Sequence, residues 1–388
     1  MQLLSILWVV GLFWFGGVRG DEGMLTLSFV GTDNKMASVV SGRKYLQNNI
    51  DVPLENIDIA YLIDVSVGSP PQAFTLLLDT GSSASWVSSY GCGRFCGFPA
   101  RTLQPSKSGS FKSTSMLFTV TYGQGYSHGV FAQDTFNVRG VDVPDVYFGL
   151  SFANDGELTD AGAGPDALSK YNNPDGKTLP TLVTSMFDHG IITKNVFSIY
   201  FHPVSNDTAI WESPINGDIT FGGVNKTTLK SDIVYAPVTK NHDLQASKQG
   251  YAHNKSLSIG NHTVKLAKPL TALVDTGSTL IYLPATMIRQ IFSKVDGFRR
   301  ANGLYAVPCN TTQAKPVTFH VNGNALVLNP EDYIIRRGKL ASSANNMCST
   351  YFMDSPPNFG AILGYGFLQQ FVTVFDNESR QIGFGQRV

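Results

Sequence analysis

The chain has 388 residues, 29 basic and 29 acidic, so its formal net charge is zero, and only 15% of it is charged. Such a balance offers no electrostatic footprint for nucleic acid or for an anionic membrane surface, and neither is expected as a partner. The 38 glycines and the common β-branched residues favour an all-β protein with many turns, and the length suits two lobes.

Residues 1–20 carry an apolar run from Leu3 to Phe15 and end in Val18-Arg19-Gly20, with small residues where a signal peptidase needs them. They read as a secretory signal, although no Lys or Arg precedes the run, which is too short to span a bilayer. No later stretch is long and apolar enough for a transmembrane helix, and Gln386-Arg387-Val388 is no lipid-anchor tail. A soluble mature protein is expected, secreted or in an acidic vacuolar compartment. Residues 21–50 read as a pro-segment, because Asp21 to Asn49 has few aromatic residues and no clear sheet pattern.

From Tyr61 to Gly68 the chain alternates, then turns at Ser69-Pro70-Pro71. Ala73 to Leu78 is a strand that delivers Asp79, and Ala84-Ser85-Trp86-Val87 follows. Phe118 to Tyr122 reads as a strand, Gly123-Gln124-Gly125 as a hairpin tip, and Gly129 to Val138 as the return strand. Taken alone, this is an edge hairpin with an exposed tyrosine. Leu182 to Gly190 predicts a short helix closed by its glycine, and Val196 to Phe201 a strand. Pro203 to Asn216 is polar and turn-rich and serves as the link between lobes 51–216 and 217–388, the second opening at Gly217 to Gly223. Pro284 suits the first turn of a helix whose stripe is Met287, Ile288, Ile291, Phe292 and Val295, with Gly297 as its stop. Gly360 to Gly364 and Phe371 to Phe384 read as strands.

Four cysteines, Cys92, Cys96, Cys309 and Cys348, allow three pairings. No spacing resembles a metal site, and neither a metal nor a cofactor is expected. Six sequons, at Asn206, Asn225, Asn254, Asn261, Asn310 and Asn377, are glycan candidates once a signal peptide is granted.

One stretch occurs twice: Leu76-Leu77-Leu78-Asp79-Thr80-Gly81-Ser82-Ser83 and Ala272-Leu273-Val274-Asp275-Thr276-Gly277-Ser278-Thr279. In each copy a buried strand ends on an acid in a sharp turn. The glycine lets another backbone approach and frees an N–H for a carboxylate. Asp-Thr-Gly alone is a common turn: one copy arises by chance in about one chain in ten of this size, two in roughly one in a few hundred. If the copies meet face to face, two carboxylates share one site and cannot both ionise. Such a pair can deprotonate a water and protonate a carbonyl oxygen together.

With these motifs the chain, from about Leu54 to Val388, resembles the pepsin-type aspartic proteases, and within them the secreted fungal enzymes of the polyporopepsin type. The resemblance implies a bilobal, all-β, pepsin-like acid protease fold with a cleft between pseudo-twofold-related lobes. It implies an endopeptidase whose Asp79 and Asp275 activate a water, with an acid optimum and no cofactor. Thr80 and Thr276 would tie the loops together, Ser82 and Ser278 would hold the outer carboxylate oxygens, and Gly81 and Gly277 would let the loops meet. Tyr122, Gly123 and Gln124 would form a flap over an extended polypeptide, backed by Trp86. Gln124 stands where many members have a small hydroxyl residue. Pepstatin-like inhibitors would bind, and a monomer is expected. The family supports the pairing Cys92–Cys96 with Cys309–Cys348. In the family a pro-segment base blocks the acids, here Lys44 or else Arg43, although Arg43-Lys44 also reads as a dibasic processing site. Asp21, Glu22 and Asp33 against Lys35, Arg43 and Lys44 make a weaker clamp than the family's strongly basic pro-segments. The main alternative is a catalytically weak or silent pepsin-fold secreted protein that binds proteins or glycans. Both acids, Tyr122 and the pro-segment speak against it.

One departure stands out. Gly364 of Ile362-Leu363-Gly364 lies 89 residues after Asp275, and the family threads this segment beneath the acid. The same offset from Asp79 reaches Leu168, and the nearest glycine-bearing segment, Asp160 to Pro165, lacks the two large apolar residues. The expectation is a damaged or misannotated variant or a loosened first lobe, with a substitute segment as the third explanation.

Overall fold

The computed structural model describes residues 23–32, 60–122, 125–156, 160–202, 217–238, 253–336, 340–356 and 360–388. The signal, Arg43, Lys44, Gly123, Gln124 and Asn206 lie outside the described residues.

Strand formation follows the pleat. In Ala60–Val67, Tyr61, Ile63, Val65 and Val67 are buried while Asp64 is exposed, the alternation of a sheet with one face on a core. Burying each such aliphatic side chain contributes about 1.5–3 kcal/mol. Ala60–Val67 pairs antiparallel with Gln72–Asp79, and the turn at Ser69-Pro70-Pro71 joins them. The hairpin of Lys112–Thr121 and Tyr126–Val138 stands beside Val141–Asn154.

These strands belong to a thirteen-stranded sheet that also takes in Val196–Phe201, Gly217–Phe221, Val234–Pro237, Phe371–Asp376 and Gln381–Gln386. Val196–Phe201 pairs with both Gly217–Phe221 and Phe371–Asp376, so chain from either side of the link shares one sheet. The second half builds a nine-stranded sheet containing His262–Val274, Ile281–Leu283, Met347–Asp354 and Ala361–Leu363. The expected helices are Leu182–Asp188 and Ala285–Phe292, the latter burying Met287, Ile288, Ile291 and Phe292. Cys92 bonds to Cys96 and Cys309 to Cys348, the local pairing. In a chain-entropy account the short loop contributes about 2 kcal/mol and the long one about 4.

Two expectations need correction. Leu25–Thr32 is a strand, wedged between Gly217–Phe221 and Ala60–Val67, where no sheet pattern was expected. Its Leu25, Leu27 and Phe29 do alternate, but over too few residues to stand out beside polar flanks. The support beneath Asp79 is also present. Asp160–Gly162 runs parallel to Gln72–Asp79, with Leu78 opposite Ala161 and Asp79 opposite Gly162. In the second half Val274 stands opposite Leu363 in the same way. Such a strand is held by backbone groups, which Asp-Ala-Gly supplies as well as Ile-Leu-Gly does. Ala163 N donates to Asp79 O at 2.7 Å, and Gly164 N to Ser82 O at 2.6 Å.

Candidate active site

Two matching frames carry the two acids. In each, a strand ending at the acid lies parallel to a three-residue support: Gln72–Asp79 on Asp160–Gly162, and His262–Val274 on Ala361–Leu363. In each, the strand after the turn runs parallel to a longer one: Trp86–Ser88 beside Val141–Asn154, and Ile281–Leu283 beside Met347–Asp354. Buried Leu76 and Leu78 fix the first approach, and Ala272, Leu273 and Val274 the second.

The acids themselves are buried, Asp79 at 6% exposure and Asp275 at 5%. Each accepts from the glycine of its own turn, Gly81 N to Asp79 Oδ1 at 2.7 Å and Gly277 N to Asp275 Oδ1 at 2.9 Å. Ser278 Oγ donates to Asp275 Oδ2 at 2.7 Å, and Ser82 is buried in the matching turn beside Asp79. The glycines also measure how near the carboxylates stand. A Cβ on Gly81 would lie 2.7 Å from Asp275 Oδ1. One on Gly277 would lie 2.8 Å from Asp79 Oδ1 and 3.2 Å from Asp275 Oδ1. Both inner oxygens therefore face one small space, which any side chain at Gly277 would fill.

The threonines lock the turns to each other. Thr80 N donates to Thr276 Oγ1 and Thr276 N to Thr80 Oγ1, both at 3.1 Å. Thr80 Oγ1 donates to Val274 O at 2.9 Å, and Thr276 Oγ1 to Leu78 O at 2.7 Å. The profile of the eukaryotic aspartyl protease family matches residues 60–387, which include both turns.

The chain belongs to this family.

It is an aspartic-type endopeptidase, a hydrolase of polypeptides. Its relatives include cathepsin E of Mus musculus, 30% identical over 359 residues that cover 88% of this chain and 84% of that protein. Gastricsin of Callithrix jacchus is 31% identical over 356 residues, covering 88% and 86%. Pepsin A of Sus scrofa is 28% identical over 342 residues, covering 86% and 83%. The crystal structure of an aspartic proteinase from Irpex lacteus has the same fold, with a TM-score of 0.72 at 23% identity over 94% of this chain and 98% of that one.

In the protease the hairpin residue Tyr122 is tethered, its hydroxyl accepting from Trp86 Nε1 at 2.8 Å. Trp86 packs with Ala84, Phe118, Val120, Phe131 and Leu179, so it belongs to a small core and reaches the hairpin from there. The protease also has a residue beside the dyad that the motif reading passed over. Tyr282 stands seven residues after Asp275, as Trp86 does after Asp79. Burial and then the Asp275 carboxylate push its hydroxyl up to about 12. Laying the two motifs over one another beyond their eighth residue would have found it. Among the described residues, no helix of the protease is long and apolar enough to cross a membrane.

Proposed function

We propose that Asp79 and Asp275 cleave peptide bonds together, one as base and one as acid. The observation behind this is the shared space between two buried carboxylates, held by reciprocal threonine bonds. A water in that space loses a proton to one carboxylate as its oxygen attacks the peptide carbonyl carbon. The other carboxyl gives its proton to the carbonyl oxygen. The tetrahedral diol then collapses, the C–N bond breaks, and the amine leaves with a proton from the dyad. Which acid holds the proton at the start belongs to the pair. The Gly81 and Gly277 amides and the Ser278 hydroxyl hold the carboxylates in place, a support that Ser82 shares. Tyr122, Gly123 and Gln124 cover the extended substrate.

The protease works at acid pH, as a monomer, and pepstatin-like inhibitors fill its cleft. It is secreted, or kept in an acidic vacuolar compartment, after loss of residues 1–20, and residues 21–50 act as its pro-segment. Release of that segment has to free the Leu25–Thr32 strand from Gly217–Phe221 and Ala60–Val67.

The test is an acid digest of denatured protein, with and without pepstatin, by the acid-matured parent and by Asp79→Asn and Asp275→Asn. Cleavage by the parent that pepstatin stops, and a loss of several orders of magnitude in either variant with the fold intact, is the expected result. Full activity of Asp275→Asn at acid pH would sink the mechanism. A folded parent that cuts nothing would favour a silent binding protein.

A further inference from the structure

Outside the dyad, the Asp155 carboxylate is aimed at the turn of the hairpin. Asp155 follows the strand Val141–Asn154 and sits on a firm base. Buried Asn154 donates through Nδ2 to Ser88 Oγ at 3.1 Å and Ser151 Oγ at 3.0 Å, and its Oδ1 accepts from Gly156 N at 2.9 Å. On the other side Gly156 lies against Gly97, just past the Cys92–Cys96 loop. A Cβ on Gly97 would fall 2.6 Å from the Gly156 Cα, so the two backbones touch. Asp155 is thus fixed before and after.

From that base its Oδ2 accepts from Tyr126 N at 3.1 Å, at the first residue of the hairpin's return strand. Gly125 makes room for it. A Cβ there would come within 2.1 Å of the same oxygen, and the backbone φ of +89° is one that L side chains rarely adopt. Gly125 O in turn accepts from Tyr122 N at 3.0 Å. Tyr122 is therefore held twice: at its ring by Trp86, and at its backbone through Gly125 and Tyr126 by Asp155.

The geometry points to Asp155 as a positioning residue for the flap, setting where Tyr122 stands over a bound polypeptide. This rests on the flap reading of the hairpin. Asp155 acts on Tyr122 through the hairpin backbone, so its loss falls on substrate binding and leaves the chemical step nearly alone.

The test uses the full matured protein with Asp155→Ala, Asp155→Asn and Gly125→Ala. Amide hydrogen exchange over residues 122–128 is read by mass spectrometry, and KM and kcat on a peptide substrate are read separately. Asp155→Ala should speed exchange over that segment and raise KM about tenfold, with kcat changed less than about twofold and Tm unchanged. Asp155→Asn keeps an oxygen that accepts from Tyr126 N and should restore most of both. Gly125→Ala should behave like Asp155→Ala, because its methyl displaces the carboxylate. Parental exchange in Asp155→Ala, or an equal loss from alanine and asparagine, would overturn the assignment. If the parent cleaves nothing, the protease reading fails, and the exchange data alone decide whether Asp155 holds the hairpin.

Discussion

Each of the two threonines makes the same pair of bonds to the other lobe's turn, so a valine at either position is a sharp probe. Thr80→Val keeps the shape but leaves Thr276 N–H and Val274 O buried without their partner. A stranded buried polar group costs about 1–3 kcal/mol, so the variant should lose roughly 2–5 kcal/mol in stability. Activity should fall as well, because the carboxylates ride on these turns. Thermal melting and peptidase rate check both. If the double variant with Thr276→Val costs no more than either single one, the two side chains act as one unit. At this scale the dyad was legible, because an acid, a hydroxyl residue and a glycine at fixed spacing leave few other readings when repeated. Asp155 was not. Its role depends on where a bulged strand ends and on a contact between two glycines, and neither leaves a mark in local sequence.

The segment Asp160–Gly162 shows what register adds to a motif. A gap of two apolar residues suggests an insertion as the repair. The pairing says otherwise, since Ala161 already takes the place of Leu363, which is buried. Inserting Ile-Leu before Gly162 should therefore lower the melting temperature, because Gly162 leaves its place opposite Asp79. A calorimetric scan of the parent and the insertion variant checks this. The strands around this segment were legible from alternation and turn residues. Leu25–Thr32 was missed because its partners lie far away in the chain, and only they reveal that a short alternating run has a sheet to join.

The short helix Pro330–Tyr333 offers a pH test. Asp332 Oδ2 accepts from Asn329 N at 2.7 Å, closing the helix start. Burial raises its carboxyl above the ordinary 3.8 despite that bond. A carboxyl raised in the folded state adds stability in acid, and this is lost as pH climbs from about 3.8 through the raised value. Asp332→Asn should therefore flatten the fall in melting temperature as pH rises above about 3.8. An unchanged slope would mean that other groups set it.

Across the whole molecule, the sequons differ in ways that the tripeptide alone hides. Asn225 Oδ1 accepts from both Thr227 N, at 3.1 Å, and Thr227 Oγ1, at 2.7 Å. Asn310 does the same with Thr312, at 3.0 Å and 2.8 Å. The turn occupies the oxygen, and among the described residues no hydrogen bond takes up the amide nitrogen that a glycan would join. Asn377 instead spends its Nδ2 on Asn195 Oδ1 at 2.9 Å. Glycopeptide mapping of secreted protein should find Asn225 and Asn310 occupied and Asn377 bare. A glycan at Asn377 in folded, active protein would contradict this reading. The two-lobed plan was legible from length and from the paired motif. The shared sheet was not, because the strands that cross between lobes are ordinary apolar runs.

The bonds between Thr80 and Thr276 also bear on when the protein becomes dangerous to itself. They span 196 residues of sequence, so neither exists until both halves have folded and met. A chain emerging with only its first lobe complete has one acid and no partner. Misdocked lobes separate the carboxylates and leave each turn with buried groups unmatched. The paired site is thus among the last features the fold acquires, and it depends on an arrangement that unfolded neighbours have not yet reached. Under the mechanism proposed above, it doubles as a check on assembly: a protease that hydrolyses loose chains is armed only once its own chain is no longer loose.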